Sequence, residues 1–420
     1  MRRIVFELTD LVERKERLTG IERVMFNLVI RVDKYFSSIV YVKFDDNEDR
    51  FIEITKDQLM YHVNKEIFKF NELPNQLPKN RTKVVLRIKK IVPNKIKSLI
   101  KSKLFVSGSS SNTVTTKKFF SFNDNDIFLI SGAGWCKDKM IIKLEVEKHK
   151  SKFEIYHIVY DIIPIKMPYL FPEGFSDYFE EYFKKIAKIC DLFIAISDST
   201  AKDLGNFLKI NIENKNKQVE VIRLGDEINK NSTLDELTYH TPKKFILSVG
   251  TIELRKNYDL IYETYQIAII MNMKLPPIII VGGRGRLTND LLYKIDNDPK
   301  LKKLIIIKND VSDQELNYLY KNCLFTVYPS IYEGWGLPIA ESLAYSKFCL
   351  ASETSSMPEI GGKLLEYFNP YDPKQLLDLM IKYLDLKTRN IAEENIKNNY
   401  KITTWDDTTK QLFEIINKVS

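Results

Sequence analysis

The sequence predicts an α/β protein made of two doubly wound, Rossmann-like domains that face each other across a central cleft. Three observations predict it. The chain has 420 residues, too many for one ordinary core and enough for two domains of about 200 residues each. Short apolar runs alternate with longer amphipathic stretches almost throughout. Many of those runs end in Gly, Asp or Ser, as strands do where a parallel sheet passes into a loop.

In the first half the strand-like runs are RRIVFEL, SIVYVKF, DIFLISG, FEIYHIVYD, LFIAIS and VEVIRLG. In the second half they are KFILSVG, PPIIIVGG, KLIIIKND, CLFTVYPS and KFCLASE. They are rich in β-branched residues and apolar on both faces, which suits burial between two layers of helices. Segments of helical period lie between them, such as Asp177 to Cys190 and Asn257 to Met271. The polar stretch Glu227 to Lys243, with Pro242 near its end, reads as the linker. The expected organisation is a first domain over 1–230, a second over 231–400, and a C-terminal helix over 401–420. That amphipathic last helix is expected to return to the first domain.

The bulk composition excludes several classes. A 44% hydrophobic content fits a folded chain rather than a disordered one. No apolar run approaches the roughly 20 residues that span a bilayer, and MRRIVFELTD lacks the apolar centre of a signal peptide. A cytoplasmic location is therefore expected. Cys136, Cys190, Cys323 and Cys349 are scattered in mostly apolar surroundings and read as buried reduced thiols rather than a zinc site or disulfide framework. The net charge of +8 is uneven: Lys79 to Lys118 holds twelve Lys and Arg and no acid, so the rest of the chain sums to −4. This insertion, 79–118, mixes apolar and basic residues as an interfacial helix does. It suggests an anionic membrane surface as partner, while a nucleic acid is not expected.

The strongest chemical signal is YPSIYEGWGLPIAESL. Tyr328, Pro329 and Ser330 end a strand. Glu333 sits in the following loop with Gly334, Trp335 and Gly336, whose glycines bring backbone N–H groups close to a ligand. Leu337 and Pro338 start a helix, with Pro in its favoured first turn. That helix N-terminus suits an anion such as a diphosphate. Glu341 lies about one turn inside the helix. One carboxylate can therefore accept from sugar hydroxyls and the other from a ribose.

This stretch resembles the E-x7-E signature of glycosyltransferase family 4, a retaining family with the GT-B fold. The resemblance implies that Glu333 contacts the transferred sugar and Glu341 the nucleotide ribose. It is high over Lys243 to Asp372 and weaker over the N-terminal half. SVGTIELRKNYDL resembles the family's diphosphate clamp, with Arg255 and Lys256 neutralising the leaving group. Many members carry Arg right after the glycine, where this chain has Thr251. Gly282, in IVGGRGRLTND, matches a wall of the nucleotide pocket. Val311, before a helix capped near Ser312, is expected to flank the base.

In the first domain HIVYDIIPIKMP resembles the family's His-Asp segment, with Tyr160 where His is common and Asp161 after it. His157 reads as strand packing. Gly20, in LTGIERV, is expected to bring its backbone to the donor phosphates. The expected catalytic set is thus Glu333, Asp161, Tyr160, Arg255 and Lys256. The Asp124–Asp126 and Asp45–Asp46 pairs look like a metal motif of another glycosyltransferase fold but read as solvated turns. No metal and no cofactor are expected. The resemblance to bacterial polysaccharide and O-antigen mannosyltransferases of the family implies GDP-mannose as donor and a glycan or polyprenyl-diphosphate-linked acceptor. UDP and dTDP donors stay open, as does a non-catalytic sugar- or polyanion-binding protein on the same scaffold. A phosphorylase would need a pyridoxal lysine motif, which the sequence does not show.

Overall fold

The computed structural model describes residues 2–13, 20–61, 117–212, 217–227, 241–286 and 288–419. Most of the basic insertion and of the linker therefore lies outside the described residues. Two sheets carry the molecule, each with helices on both faces. In the first, the strands are β1 (Ile4–Glu7), β2 (Ile39–Asp45), β3 (Arg50–Ile54), β4 (Ile127–Ile130), β5 (Glu154–Val159), β6 (Leu192–Ala195) and β7 (Gln218–Val221), ordered β3-β2-β1-β4-β5-β6-β7. All neighbours are parallel except β2 and β3. In the second, β8 (Ile246–Val249), β9 (Ile278–Val281), β10 (Ile305–Lys308), β11 (Thr326–Tyr328), β12 (Cys349–Ser352) and β13 (Glu366–Phe368) are ordered β10-β9-β8-β11-β12-β13, and all pairs are parallel.

The apolar runs explain the inner strands. IVFE, IFLI, LFIA, IIIV and CLAS are buried along their whole length, as strands covered on both faces must be. Two strands were not legible in the sequence. β3, RFIEI, alternates polar and apolar residues at a sheet edge, and β13 is only EYF. An edge strand needs no two-sided apolar run, so neither stood out.

Both sheets reverse their direction of growth beside their first strand, between β1 and β4 and between β8 and β11. Ligands of such sheets sit outside the strand C-termini at that reversal. The helix Trp405–Val419 packs on the first domain: Trp405, Leu412 and Ile416 join its core cluster, and Phe413 lies edge-on to Phe36 at 5.1 Å. The crossing is tight. A side chain at Gly225 would stand 2.6 Å from the Trp405 ring. Among the described residues no helix is long and apolar enough to cross a membrane.

Cys190, Cys323 and Cys349 are buried free thiols, but Cys136 is exposed, correcting the expectation for that residue. It sits in a one-turn loop after β4, outside the apolar layers. Asp124 to Asp126 form the turn before β4, where Asp126 pairs with Arg3 at 2.6 Å and Asp124 accepts from the Lys152 amide at 2.7 Å. His157 is buried in the β5 interior with Nε2 2.7 Å from the Tyr182 hydroxyl. Burial pushes its pKa down to about 4.

Candidate active site

The loops after β8 and β11 leave the second sheet side by side at its reversal point, and hydrogen bonds tie them together. The Ile331 amide donates to the Arg255 carbonyl at 2.9 Å. Asn257, left-handed at φ 58°, donates its side-chain amide to the carbonyls of Pro329 at 3.0 Å and Pro370 at 2.7 Å. This knot presents Arg255 and Lys256 on one short turn, Leu254–Lys256, just before the helix Tyr258–Ile270.

Both cations converge on Glu333. Lys256 Nζ lies 2.6 Å from its Oε1, and Arg255 Nη1 binds its Oε2. Arg255 also donates to Glu253 at 2.9 Å and to the Tyr332 carbonyl at 3.0 Å, and Lys256 donates to the Tyr328 hydroxyl at 2.8 Å. Burial by itself would raise the Glu333 carboxyl, but Arg255 and Lys256 outweigh it and hold it at about 2. The group is thus ionised at any working pH.

Three hydroxyl residues after β12, absent from the sequence reading, fix the Glu333 loop. Thr354 donates to the Ile331 carbonyl at 2.7 Å, Ser355 accepts from the Glu333 amide at 2.9 Å, and Ser356 donates to the Glu333 carbonyl at 3.0 Å. Their signal, SETSS at a strand end, was present but carried no distinctive spacing.

Glu341 lies in the helix Leu337–Ala344, which starts after Gly336 at φ 152° with Pro in its first turn. Its carboxylate is held from two sides. Tyr320 donates to Oε2 at 2.9 Å, and Arg23 of the first domain binds Oε1 at 2.7 Å. Arg23 was also missed, although it stands in the LTGIERV segment. The first domain further contributes Asp161 at the end of β5, whose Oδ1 accepts from the Ile163 amide at 3.0 Å. Burial raises the Asp161 carboxyl, and the nearby Arg255 guanidinium counters it.

Three expected contacts take a different form. The Tyr160 hydroxyl is buried and donates to the Ser131 carbonyl at 2.8 Å, and burial pushes its pKa up. Gly334 packs closely on the other domain: a Cβ there would stand 2.0 Å from the Tyr160 carbonyl oxygen. Thr200 Oγ1 bridges the carbonyls of Tyr160 and Gly334 at 3.3 Å each. Trp335 is buried in the first domain's core cluster with Tyr160 and Trp405, so its indole packs across the two domains. The sequence showed the aromatic ring and the glycine but not which surface they meet.

The remaining expected residues line the strand ends. Gly282 packs flush on the Gly250 turn, where a Cβ would fall 1.9 Å from the Gly250 carbonyl oxygen, and Thr251 is exposed beside it. Val311 is buried with Phe245, Leu247 and Tyr320, ahead of the helix Asp313–Asn322 and its Ser312–Glu315 capping box. Gly20 opens the helix Gly20–Val29 at φ 50°. Leu337 packs beside the first domain's cluster.

Residues 230–402 match the model of the family described as glycosyl transferases group 1. Both carboxylates and both cations of the site fall inside the matched residues, while Asp161 and Arg23 come from the domain opposite. Part of the chain is similar to O-antigen chain mannosyltransferase B of Escherichia coli, 30% identical over 168 residues, covering 40% of this chain and 44% of that protein. It is also similar to a UDP-Gal:alpha-D-GlcNAc-diphosphoundecaprenol alpha-1,3-galactosyltransferase of Escherichia coli, 26% identical over 215 residues, covering 48% of this chain and 54% of that protein. The chain thus spans about half the length of these relatives. Among solved structures, sucrose-phosphate synthase from Thermosynechococcus elongatus matches with a TM-score of 0.60 at 14% identity, over 100% of this chain and 99% of that one. Anabaena HepE in complex with UDP and glucose matches with a TM-score of 0.60 at 12% identity, over 100% of both chains. At such identities the likeness is one of fold, and the fold is GT-B.

Proposed function

We propose that the chain is a retaining glycosyltransferase of the family 4 type, which moves a hexose from a nucleotide-sugar onto a glycan or lipid-linked oligosaccharide. The observation that carries this reading is the meeting of Arg255 and Lys256 on Glu333, opposite Asp161. Two cations at a sheet's reversal point suit a departing diphosphate. Glu333 is their counter-ion in this structure. With donor bound, the diphosphate takes the cations, and Glu333 turns to the sugar hydroxyls and the positive charge that develops on the ring.

The acceptor hydroxyl attacks the anomeric carbon from the face the diphosphate leaves. The bond from that carbon to the phosphate oxygen breaks, the bond to the acceptor oxygen forms, and the acceptor's proton passes to the departing phosphate oxygen. The proton balance closes without a protein base, a metal or a cofactor, which fits a Tyr160 hydroxyl committed to Ser131. Mannose from GDP-mannose is the first donor to test, since similar Escherichia coli proteins are named O-antigen chain mannosyltransferase B and serotype-specific mannosyltransferase. A UDP-sugar is the second, because another similar protein is named for UDP-Gal and a diphosphoundecaprenol-linked acceptor. An acceptor of that kind, with the basic 79–118 segment, supports work at the cytoplasmic face of a membrane.

The test is nucleoside diphosphate release and product formation with GDP-mannose, UDP-galactose, UDP-glucose, UDP-N-acetylglucosamine and dTDP-rhamnose. Glu333→Ala and Lys256→Ala should each cut turnover by at least about 100-fold in a folded protein. Near-normal turnover in either variant counts against the assignment.

A further inference from the structure

Each of the two site glutamates holds a cation, but the two pairs differ in origin. Glu333 holds Arg255 and Lys256 of its own domain. Glu341 holds Arg23, which reaches over from the helix Gly20–Val29 of the domain opposite. An exposed surface pair would be unremarkable, as with Lys34 and Asp406, where both side chains are largely exposed. The Arg23 pair is built otherwise: the Glu341 side chain is 9% exposed and that of Arg23 is 37% exposed. The carboxylate is sunk and the guanidinium covers it from the cleft.

The two oxygens of Glu341 have unequal partners. Oε2 accepts from Tyr320, whose ring is fully buried and stacked against Tyr345 at 5.3 Å, so that bond belongs to the fixed core. Oε1 accepts from Arg23 on the cleft side. On the reading of Glu341 as the ribose carboxylate, which the inference rests on, an arriving ribose meets Oε1 and finds Arg23 there. Two hydroxyls can replace the guanidinium as donors. The freed guanidinium then needs another anion, because a charge left unpaired in a half-buried cleft is costly. The nucleotide brings that anion in its diphosphate.

We propose that Arg23 is a positioning residue for the nucleotide: it pairs with Glu341, yields it to the ribose, and transfers its charge to the diphosphate. The first domain thereby takes part in donor binding, and donor binding draws the two domains together through one side chain.

The experiment compares a nucleoside with its diphosphate. Calorimetric titrations of the full chain use guanosine and GDP, and uridine and UDP, against wild type, Arg23→Ala and Arg23→Lys, with melting curves to verify folding. Arg23→Ala should weaken diphosphate binding about tenfold, since it removes a charge-assisted hydrogen bond. The same variant should bind the nucleoside as well as wild type or more tightly, because nothing has to be displaced. Arg23→Lys, which keeps the charge, should recover part of the diphosphate affinity. Equal weakening of nucleoside and diphosphate would overturn the exchange and leave a plain interdomain strut. No change in either would overturn it too. A wild type that binds no nucleoside diphosphate would instead refute the proposed function itself.

Discussion

Gly334→Ala places a methyl group where the backbones of the two domains approach closely. The new carbon would stand 2.0 Å from the Tyr160 carbonyl oxygen, where ordinary contacts begin at 3.4 Å, so the two loops must part by about 1.4 Å. Neither side can yield locally. The next atoms met are the Asp161 Cβ at 3.0 Å and the Tyr160 carbonyl carbon at 3.1 Å, with no flexible side-chain end among them. Ser356 pins the carbonyls on either side of Gly334, and Tyr160 lies directly after β5. The parting therefore moves Asp161 away from Arg255 and Glu333. A displacement of about 1 Å in a reacting geometry costs on the order of 100-fold in rate, and overpacking costs about 1–3 kcal/mol in stability. Turnover should fall by roughly that factor. Affinity for the nucleoside diphosphate should fall by no more than about tenfold, because Arg255, Lys256 and Glu341 all stay within one domain and only Arg23 comes from the other. Steady-state rates with the active donor, calorimetric nucleotide binding and a thermal melt test this together. Turnover within twofold of wild type at an unchanged melting temperature would refute the reasoning, since it would mean that the cleft tolerates the added separation.

Tyr160→Phe should cost about 1–3 kcal/mol in a urea melt, because the buried Ser131 carbonyl loses its donor, while turnover stays within a few-fold of wild type. A hundredfold slower enzyme of unchanged stability would return the phenol to the chemistry. Glu7, buried at the end of β1, titrates near 7 rather than at its usual 4.5, through burial first and the charge of Asp10 second. A raised carboxyl stabilises the fold fully below about pH 4.5 and loses that contribution as pH rises through 7. Glu7→Gln should therefore gain on wild type by roughly 3 kcal/mol at pH 8 and by little at pH 4.5. An equal difference at both pH values would contradict this assignment.

The sheet reversal and the strand-end chemistry show how unevenly the molecule could be read in advance. β8, β9 and β11 were legible because strands buried on both faces need unbroken apolar runs, and the clamp because Arg255 and Lys256 follow one of those runs directly. β3 and β13 were not, since edge strands carry mixed residues. Thr354, Ser355 and Ser356 were not either, because hydroxyls that pin a neighbouring loop have no fixed distance in sequence from what they hold. The same holds for Arg23, 318 residues from the carboxylate it binds.

By itself, the sequence determined the two-domain α/β class, the GT-B expectation and the four charged groups Arg255, Lys256, Glu333 and Glu341. The class follows from local periodicity, and the GT-B expectation from the resemblance of motifs that each lie along a single strand, loop or helix, where physical neighbours are also sequence neighbours. Only the tertiary structure decided what faces them. It set Gly334 against the Tyr160 carbonyl and the Trp335 indole in the first domain's core, bound the Tyr160 hydroxyl to Ser131, and laid Arg23 on Glu341. Each depends on how close two separately folded domains approach, a distance set by packing across the cleft rather than by any local run of residues.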